Sequence, residues 1–172
     1  MDFMIIGIDH FVQLERNARD NAQMTASKER LEELIQQALA QHDIQAIAEE
    51  SHPQEQTIAA RLSRAKNPPP SWTNIHVEEK ERETLGIKKA LADRPGNPDP
   101  ETMTYWIEYR IPEDDILERR YIEKTLDGAN GATRILMLVG DAHVDEIAAK
   151  LTKMGHAVKT THEICPVKRW QR

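Results

Sequence analysis

The stretch FMIIGIDH (Phe3–His10) decides the fold class of this chain. A continuous apolar run that is rich in isoleucine is typical of a strand buried on both faces of a parallel sheet. The stretch RILMLVGDAH (Arg134–His143) repeats the pattern near the other end of the sequence. We therefore predict two buried strands, each of which ends in a Gly-x-x-His element: Gly7–His10 and Gly140–His143.

The segments between these two strands alternate between helical and extended patterns. Leu31, Leu34, Ile35, Ala38 and Leu39 form the apolar stripe of an amphipathic helix, which Thr25 or Ser27 can cap, and Ile44–Ala48 is apolar like a short strand. Strand, helix and strand in this order predict a right-handed βαβ unit. The other predicted elements are helices at Glu55–Ala65, Glu78–Leu85, Thr102–Tyr109, Asp114–Leu126 (separated from the preceding helix at Pro112) and Val144–Leu151, a strand or ordered loop at Trp72–Val77, a surface loop at Asp93–Pro100 and a last strand at Ala157–Thr161. The sequence thus predicts a single α/β domain over residues 1–172, with a central, mostly parallel sheet flanked by helices.

The composition excludes several classes of function. With 30% charged and 39% apolar residues, the chain resembles an ordinary globular protein and neither a disordered nor a membrane protein. A net charge of −6 argues against nucleic acid as the main partner, because binding to phosphates needs a concentrated basic surface. Cys165 is the lone cysteine, which excludes a disulfide framework and suits a reducing compartment. The first apolar run has no basic leader and is too short to span a bilayer, so we expect a cytoplasmic protein without a membrane partner.

Polar side chains follow three of the predicted strands at their carboxyl ends. In open parallel sheets, ligands bind at that edge, and His10, His143 and either Glu49 or Glu50 are therefore expected to converge there. Imidazole and carboxylate groups are suitable ligands for a divalent metal such as Mn, Zn, Co or Fe, whose bound water would be a nucleophile. The predicted metal ligands are His10, Glu49, His143 and Asp141. Alternatively, the same side chains act directly as general base and acid, or each histidine is a strand-end residue that bonds to the backbone.

These motifs resemble those of the superfamily that includes the TraB and Tiki proteins, the ChaN haem-binding proteins and the erythromycin esterases. The resemblance is carried by Gly7–His10, Ile47–Glu50, Leu117–Lys124, Ile135–His143 and Lys153–Val158, and the chain is similar to a minimal, bacterial-type member. The resemblance implies a site of two histidines and a glutamate, together with an arginine on a helix, either Arg119 or Arg120. It also implies one of three activities: metal-dependent proteolysis, metal-free ester hydrolysis or haem binding.

Together, these features favour a hydrolase, of the esterase or peptidase kind, that acts on a small-molecule or peptide substrate. In this reading His10, Glu49, Glu50, His143, Arg119 and Arg120 are the catalytic candidates. The arginine would stabilise an oxyanion or bind an anionic group of the substrate. The alternatives are a non-catalytic module that binds a small ligand, metal or haem in the same crevice, and an interaction protein with incidental histidines. The sequence leaves open whether the chain forms a homo-oligomer.

Overall fold

A computed structural model describes residues 1–10, 12–15, 22–51, 56–87 and 111–164 of the chain. Strands and helices alternate over most of this length. The strands are β1 (Asp2–Ile8), β2 (Ala46–Glu49), β3 (Ser71–Asn74), β4 (Arg134–Gly140) and β5 (Ala157–Ile164). The helices are α1 (Ala22–Gln41), α2 (Ile58–Ala65), α3 (Glu79–Thr84), α4 (Ile111–Gly128) and α5 (Val144–Lys153), the last preceded by a single 3₁₀ turn, Asp141–His143.

The five strands form one sheet in the order β3-β2-β4-β1-β5, and every neighbouring pair is parallel. This arrangement confirms the predicted α/β fold. The two strands that end in Gly-x-x-His, β1 and β4, are direct neighbours, with Gly7 opposite Val139 and Ile8 opposite Gly140. On the other side of β4 lies β2, whose Glu49 is opposite Leu138. The carboxyl ends of β1, β4 and β2 therefore lie side by side at one edge of the sheet.

The core consists of two apolar layers, one on each face of the sheet. Successive residues of β1 point to opposite faces, so that Ile5 packs in the layer that contains Tyr121 of α4, while Ile6 packs in the layer that contains Leu31 of α1. Burial of each such side chain contributes about 1.5–3 kcal/mol to stability. The helices thus cover the sheet with apolar faces, and no helix within the described residues combines the length and apolar composition that crossing a membrane requires.

Several helix and strand limits differ from those predicted from sequence. Because α1 begins at Ala22, Thr25 and Ser27 lie within its first turns and do not cap it. Pro112 belongs to the first turn of α4, so this helix begins before the predicted Asp114. Proline is tolerated there because backbone N–H groups in the first turn have no partner within the helix. The predicted helix at Thr102–Tyr109 and the loop at Asp93–Pro100 lie outside the described residues.

Candidate functional site

The carboxyl ends of β1, β4 and β2 bring three of the predicted residues together around Gly140. A methyl group built on Gly140 would lie 3.2 Å from Nε2 of His10, 3.6 Å from Oε2 of Glu50 and 3.6 Å from Cδ2 of His143. Because Nε2 of His10 and Cδ2 of His143 both lie this close to the same point, the distance between these two atoms cannot exceed the sum of their distances to that point. The side chains of His10, Glu50 and His143 therefore meet at the backbone of Gly140.

Glu50 is a buried carboxylate that several groups keep ionised. Its Oε1 accepts a hydrogen bond from the hydroxyl of Tyr121, and its Oε2 accepts one from the backbone N–H of Gly140 at 3.0 Å. Nε2 of His10 lies 3.8 Å from the same Oε2. Burial alone would raise the pKa of Glu50 and is the largest single effect. The charges of His10 and His143, with the two hydrogen bonds, outweigh burial, so that the pKa of Glu50 lies below its usual value.

His143 forms a buried pair with a residue that sequence reasoning missed, Glu118 of α4. Nδ1 of His143 lies 3.1 Å from Oε1 of Glu118, and Tyr121 stands edge-on at a ring-centroid distance of 5.8 Å. Burial lowers the pKa of His143, but the hydrogen bond to Glu118 and the charges of Glu50, Asp114 and Glu118 raise it above its usual value. With Nδ1 engaged, Nε2 is the ring nitrogen that remains for chemistry.

The two glycines of the Gly-x-x-His elements provide space for neighbouring atoms. Neither Gly7 nor Gly140 has a positive φ, so no special backbone conformation requires glycine at these positions. A methyl group on Gly7 would lie 2.3 Å from Oδ1 of Asp141 and 2.9 Å from Cγ2 of Val144. The absence of a side chain at Gly7 therefore lets the turn after β4 pack over the end of β1, and the same absence at Gly140 lets the side chains of His10, Glu50 and His143 approach its backbone.

Glu49 is not part of this group, because alternate residues of a strand point to opposite faces of a sheet. Its Oε2 accepts hydrogen bonds from Oγ1 of Thr57 at 2.7 Å and from Nε1 of Trp72 at 2.8 Å. Burial raises the pKa of Glu49 to about 7, although these two hydrogen bonds oppose the change. Of the two adjacent glutamates that the sequence left open, the structure brings Glu50 to His10 and His143 and holds Glu49 behind the sheet.

Neither candidate arginine is placed beside these groups. Nε of Arg119 lies 2.9 Å from Oδ2 of Asp115, and the arginine side chain is 69% exposed. Arg120 pairs with Glu81 and Glu123 on another part of the surface. Consecutive helical residues differ by about 100° in direction, so a helix that points Glu118 and Tyr121 at the site turns the two residues between them away.

Asp141 pairs with a histidine that lies outside the predicted motifs. Oδ1 of Asp141 lies 2.9 Å from Nδ1 of His162 in β5, and the other ring nitrogen of His162 lies 3.0 Å from Oδ1 of Asp145. His162 is only partly exposed. The predicted metal ligands Glu49 and Asp141 therefore have other partners.

The residues proposed as metal ligands do not form a coordination group. Glu49 lies behind the sheet, Asp141 pairs with His162, and Nδ1 of His143 is engaged by Glu118. Within the described part of the chain, no three histidine, cysteine, aspartate or glutamate side chains are arranged to hold a metal ion. The donor set predicted from sequence therefore does not fit a metal ion within the described residues.

Three side chains of the site were not among the predicted site residues: Glu118 and Tyr121, which lie within the stretch Leu117–Lys124, and Lys150, which lies outside all the motifs. Lys150 of α5 lies 2.7 Å from the second carboxylate oxygen of Glu118. The sequence feature that could have indicated Glu118 and Tyr121 is their spacing of i and i+3 on the buried face of a predicted helix, among apolar neighbours.

Comparison of the chain with protein-family models, with curated proteins and with solved structures found no match.

Proposed function

We propose that this chain is a hydrolase of carboxylic esters, with His143 as the group that moves the proton. The observation that carries the proposal is the buried His143–Glu118 pair, which faces Glu50 and His10 across Gly140. A histidine held by a carboxylate through one nitrogen, and open at the other, is the arrangement that activates water or a hydroxyl group in many unrelated enzymes.

In this proposal Glu118 determines which nitrogen of His143 is basic. An ionised carboxylate can only accept a hydrogen bond, so Nδ1 carries the proton and Nε2 carries the lone pair. His143 takes a proton from water through Nε2, and the negative charge of Glu118 stabilises the imidazolium ion that forms. The raised pKa of His143 strengthens it as a base. The hydroxide equivalent attacks the ester carbonyl carbon and forms a tetrahedral intermediate.

Glu50 and His10 flank His143 on the other side of Gly140. Glu50 provides a fixed negative charge near the imidazolium of His143 and also lies beside the ring of His10. His10 has a half-exposed side chain, so its ring can contact a substrate. As the intermediate collapses, the bond from carbon to the alcohol oxygen breaks, and the imidazolium ion of His143 gives the departing alkoxide the proton that it took from water. This transfer restores neutral His143.

The choice of an ester follows from these groups and from the resemblance to erythromycin esterases. Departure of an alkoxide needs one proton, and the imidazolium ion of His143 can supply it, whereas a peptide nitrogen is a poorer leaving group. Membership of the TraB, Tiki, ChaN and esterase superfamily itself stays a prediction. A non-catalytic small-ligand site in the same crevice is the alternative that the test below separates.

The test is hydrolysis of a panel of short carboxylic esters by the purified chain in the presence of EDTA. We expect His143→Gln and Glu50→Gln each to lower kcat/KM by about 100-fold or more, the usual contribution of a general acid–base group. The matched control is His42→Gln, which changes an exposed histidine that follows α1. Ester hydrolysis that survives His143→Gln at the wild-type rate would contradict the mechanism.

The pH dependence provides an independent check. Catalysis needs neutral His143, so kcat/KM should fall as the pH falls through the raised pKa of this residue. Glu118→Gln removes a group that raises this pKa, and the acidic limb of the profile should move to lower pH. A panel without any turnover, combined with small-molecule binding that His143→Gln abolishes, would instead indicate a binding module.

A further inference from the structure

We infer that Tyr121 of α4 is a positioning residue that aligns Glu50 with His143. Its hydroxyl holds the carboxylate of Glu50, and its ring packs against the imidazole of His143. The catalytic meaning of this inference rests on the proposed function, in which His143 is the base and Glu50 is the charge beside it. The alignment itself is a property of the resting protein and can be measured without a substrate.

The hydroxyl of Tyr121 lies in an apolar layer of the core, where it needs a partner. Tyr121 is fully buried among apolar side chains. A buried hydroxyl group without a hydrogen bond destabilises the folded state, whereas the ring of phenylalanine would fill nearly the same volume without that cost. The hydroxyl donates its hydrogen bond to Oε1 of Glu50. The contact with Glu50 therefore accounts for a tyrosine at this position.

Two hydrogen bonds from different parts of the chain fix the carboxylate of Glu50. The terminal torsion of a glutamate side chain is broad, so the side chain by itself does not determine where its two oxygens point. Oε1 accepts from the hydroxyl of Tyr121, and Oε2 accepts from the backbone N–H of Gly140 at 3.0 Å. Nε2 of His10 lies 3.8 Å from Oε2, which is beyond hydrogen-bonding distance. Without the hydroxyl, the N–H of Gly140 would be the hydrogen-bond partner that remains to the carboxylate among the described residues, and the carboxylate could turn about this bond.

The ring of Tyr121 connects the same residue to His143. The two ring centroids are 5.8 Å apart, and the ring planes meet at 79°. Such a T-shaped contact is favourable between aromatic rings, and it limits how far the imidazole can tilt. Glu118, one turn earlier on α4, lies 3.1 Å from Nδ1 of the same imidazole. One face of α4 therefore carries the groups that fix both the base and the charge beside it.

Two substitutions remove these contacts separately. Tyr121→Phe deletes the hydroxyl and keeps the ring, whereas Tyr121→Leu deletes both. The matched control is Thr125→Val, which removes another buried hydroxyl from the same helix. Oγ1 of Thr125 donates to the backbone oxygen of Tyr121 at 2.7 Å. The control therefore reports the general effect of losing a buried hydroxyl group from α4.

The first measurement is the NMR spectrum of the folded, isotope-labelled protein without substrate. An amide proton bonded to a carboxylate resonates at low field, and we expect this of the N–H of Gly140 in the wild type. Tyr121→Phe should move this resonance upfield, because the carboxylate of Glu50 turns away, and should keep the ring-current shift of the His143 imidazole protons. Tyr121→Leu should change both signals. Thr125→Val should change neither.

Ester hydrolysis supplies the second measurement. Misplacement of a catalytic group by about 1 Å can lower the rate by about 100-fold. We therefore expect kcat of Tyr121→Phe to fall by about 10-fold or more. KM should change little, because the lost hydroxyl bonds to Glu50. Thr125→Val should retain the wild-type kcat.

Two results would overturn the inference: a Gly140 amide resonance that is unchanged in folded Tyr121→Phe protein, or a kcat of Tyr121→Phe equal to that of Thr125→Val in an active enzyme. If Tyr121→Phe does not fold, the wild type provides the test, since a hydroxyl proton of Tyr121 that exchanges rapidly with water would contradict the inference. The expected shifts in a protein that hydrolyses no ester would contradict the proposed function and support the alignment by Tyr121. An active enzyme with an unchanged Gly140 resonance would do the reverse.

Discussion

Glu49→Gln should stabilise the protein at neutral and alkaline pH, because it removes a carboxyl group that the fold buries. The native pKa of about 7 lies above the value of 4.5 expected for an unfolded chain. The folded state therefore binds the proton more tightly, and the associated stability is present below pH 4.5 and lost as the pH rises through 7. At about 1.4 kcal/mol per tenfold change in proton affinity, the loss amounts to about 3 kcal/mol.

The glutamine side chain can keep the two existing hydrogen bonds, since its carbonyl oxygen accepts from Thr57 and Trp72 as Oε2 of Glu49 does. Urea denaturation of wild type and variant at several pH values gives the difference in their free energies of unfolding. This difference should shift in favour of the variant by about 3 kcal/mol between pH 4.5 and pH 8. Glu29→Gln, on the exposed surface of α1, is the control. A difference that is constant with pH would refute the argument.

Three further substitutions test the packing of the site. Gly7→Ala should lower the free energy of unfolding by about 1–3 kcal/mol, because the new methyl group would lie 2.3 Å from Oδ1 of Asp141; an unchanged urea midpoint would contradict this. Gly140→Ala should abolish ester hydrolysis but keep the circular dichroism spectrum, since its methyl group would stand 3.2 Å from Nε2 of His10. Arg119→Ala should leave kcat/KM unchanged and alter the free energy of unfolding by no more than about 0.5 kcal/mol, because the ion pair of Arg119 is exposed. A loss of activity would indicate that Arg119 contributes to the site.

The fold could be predicted because its central strands are unambiguous in the sequence. The apolar runs of β1 and β4 have no polar residue on either face, and such strands occur inside parallel sheets. Element limits were less predictable. Thr25 and Ser27 have the side chains of helix caps, yet the helix begins before them, and Met24 in this earlier turn packs against the core cluster that contains Leu31. Tertiary contacts thus overrode a local preference.

The site could be predicted only as far as strand ends determine it. His10, Glu50 and His143 follow from the rule that parallel strands present their carboxyl ends at one edge. To choose between Glu49 and Glu50, one must know the register of β2 and which face of the sheet each side chain points to. The sequence pattern of so short a strand does not determine either. Glu118 and Lys150 come from two helices that are distant in sequence, and their contact depends on how those helices pack.

Two adjacent carboxyl groups at the end of β2 also constrain how that strand can pair. A slip of one residue against β4 exchanges the faces of all its side chains. Glu50 would then lose Tyr121 and the N–H of Gly140, and Glu49 would lose Thr57 and Trp72. In the misaligned sheet Glu50 would be buried without the groups that keep it ionised. Glu49, whose raised pKa favours the neutral form, would take its place beside the histidines. The hydrogen bonds of the two glutamates therefore favour the observed register of β2 over one that is shifted by a residue, in addition to any chemistry that Glu50 performs.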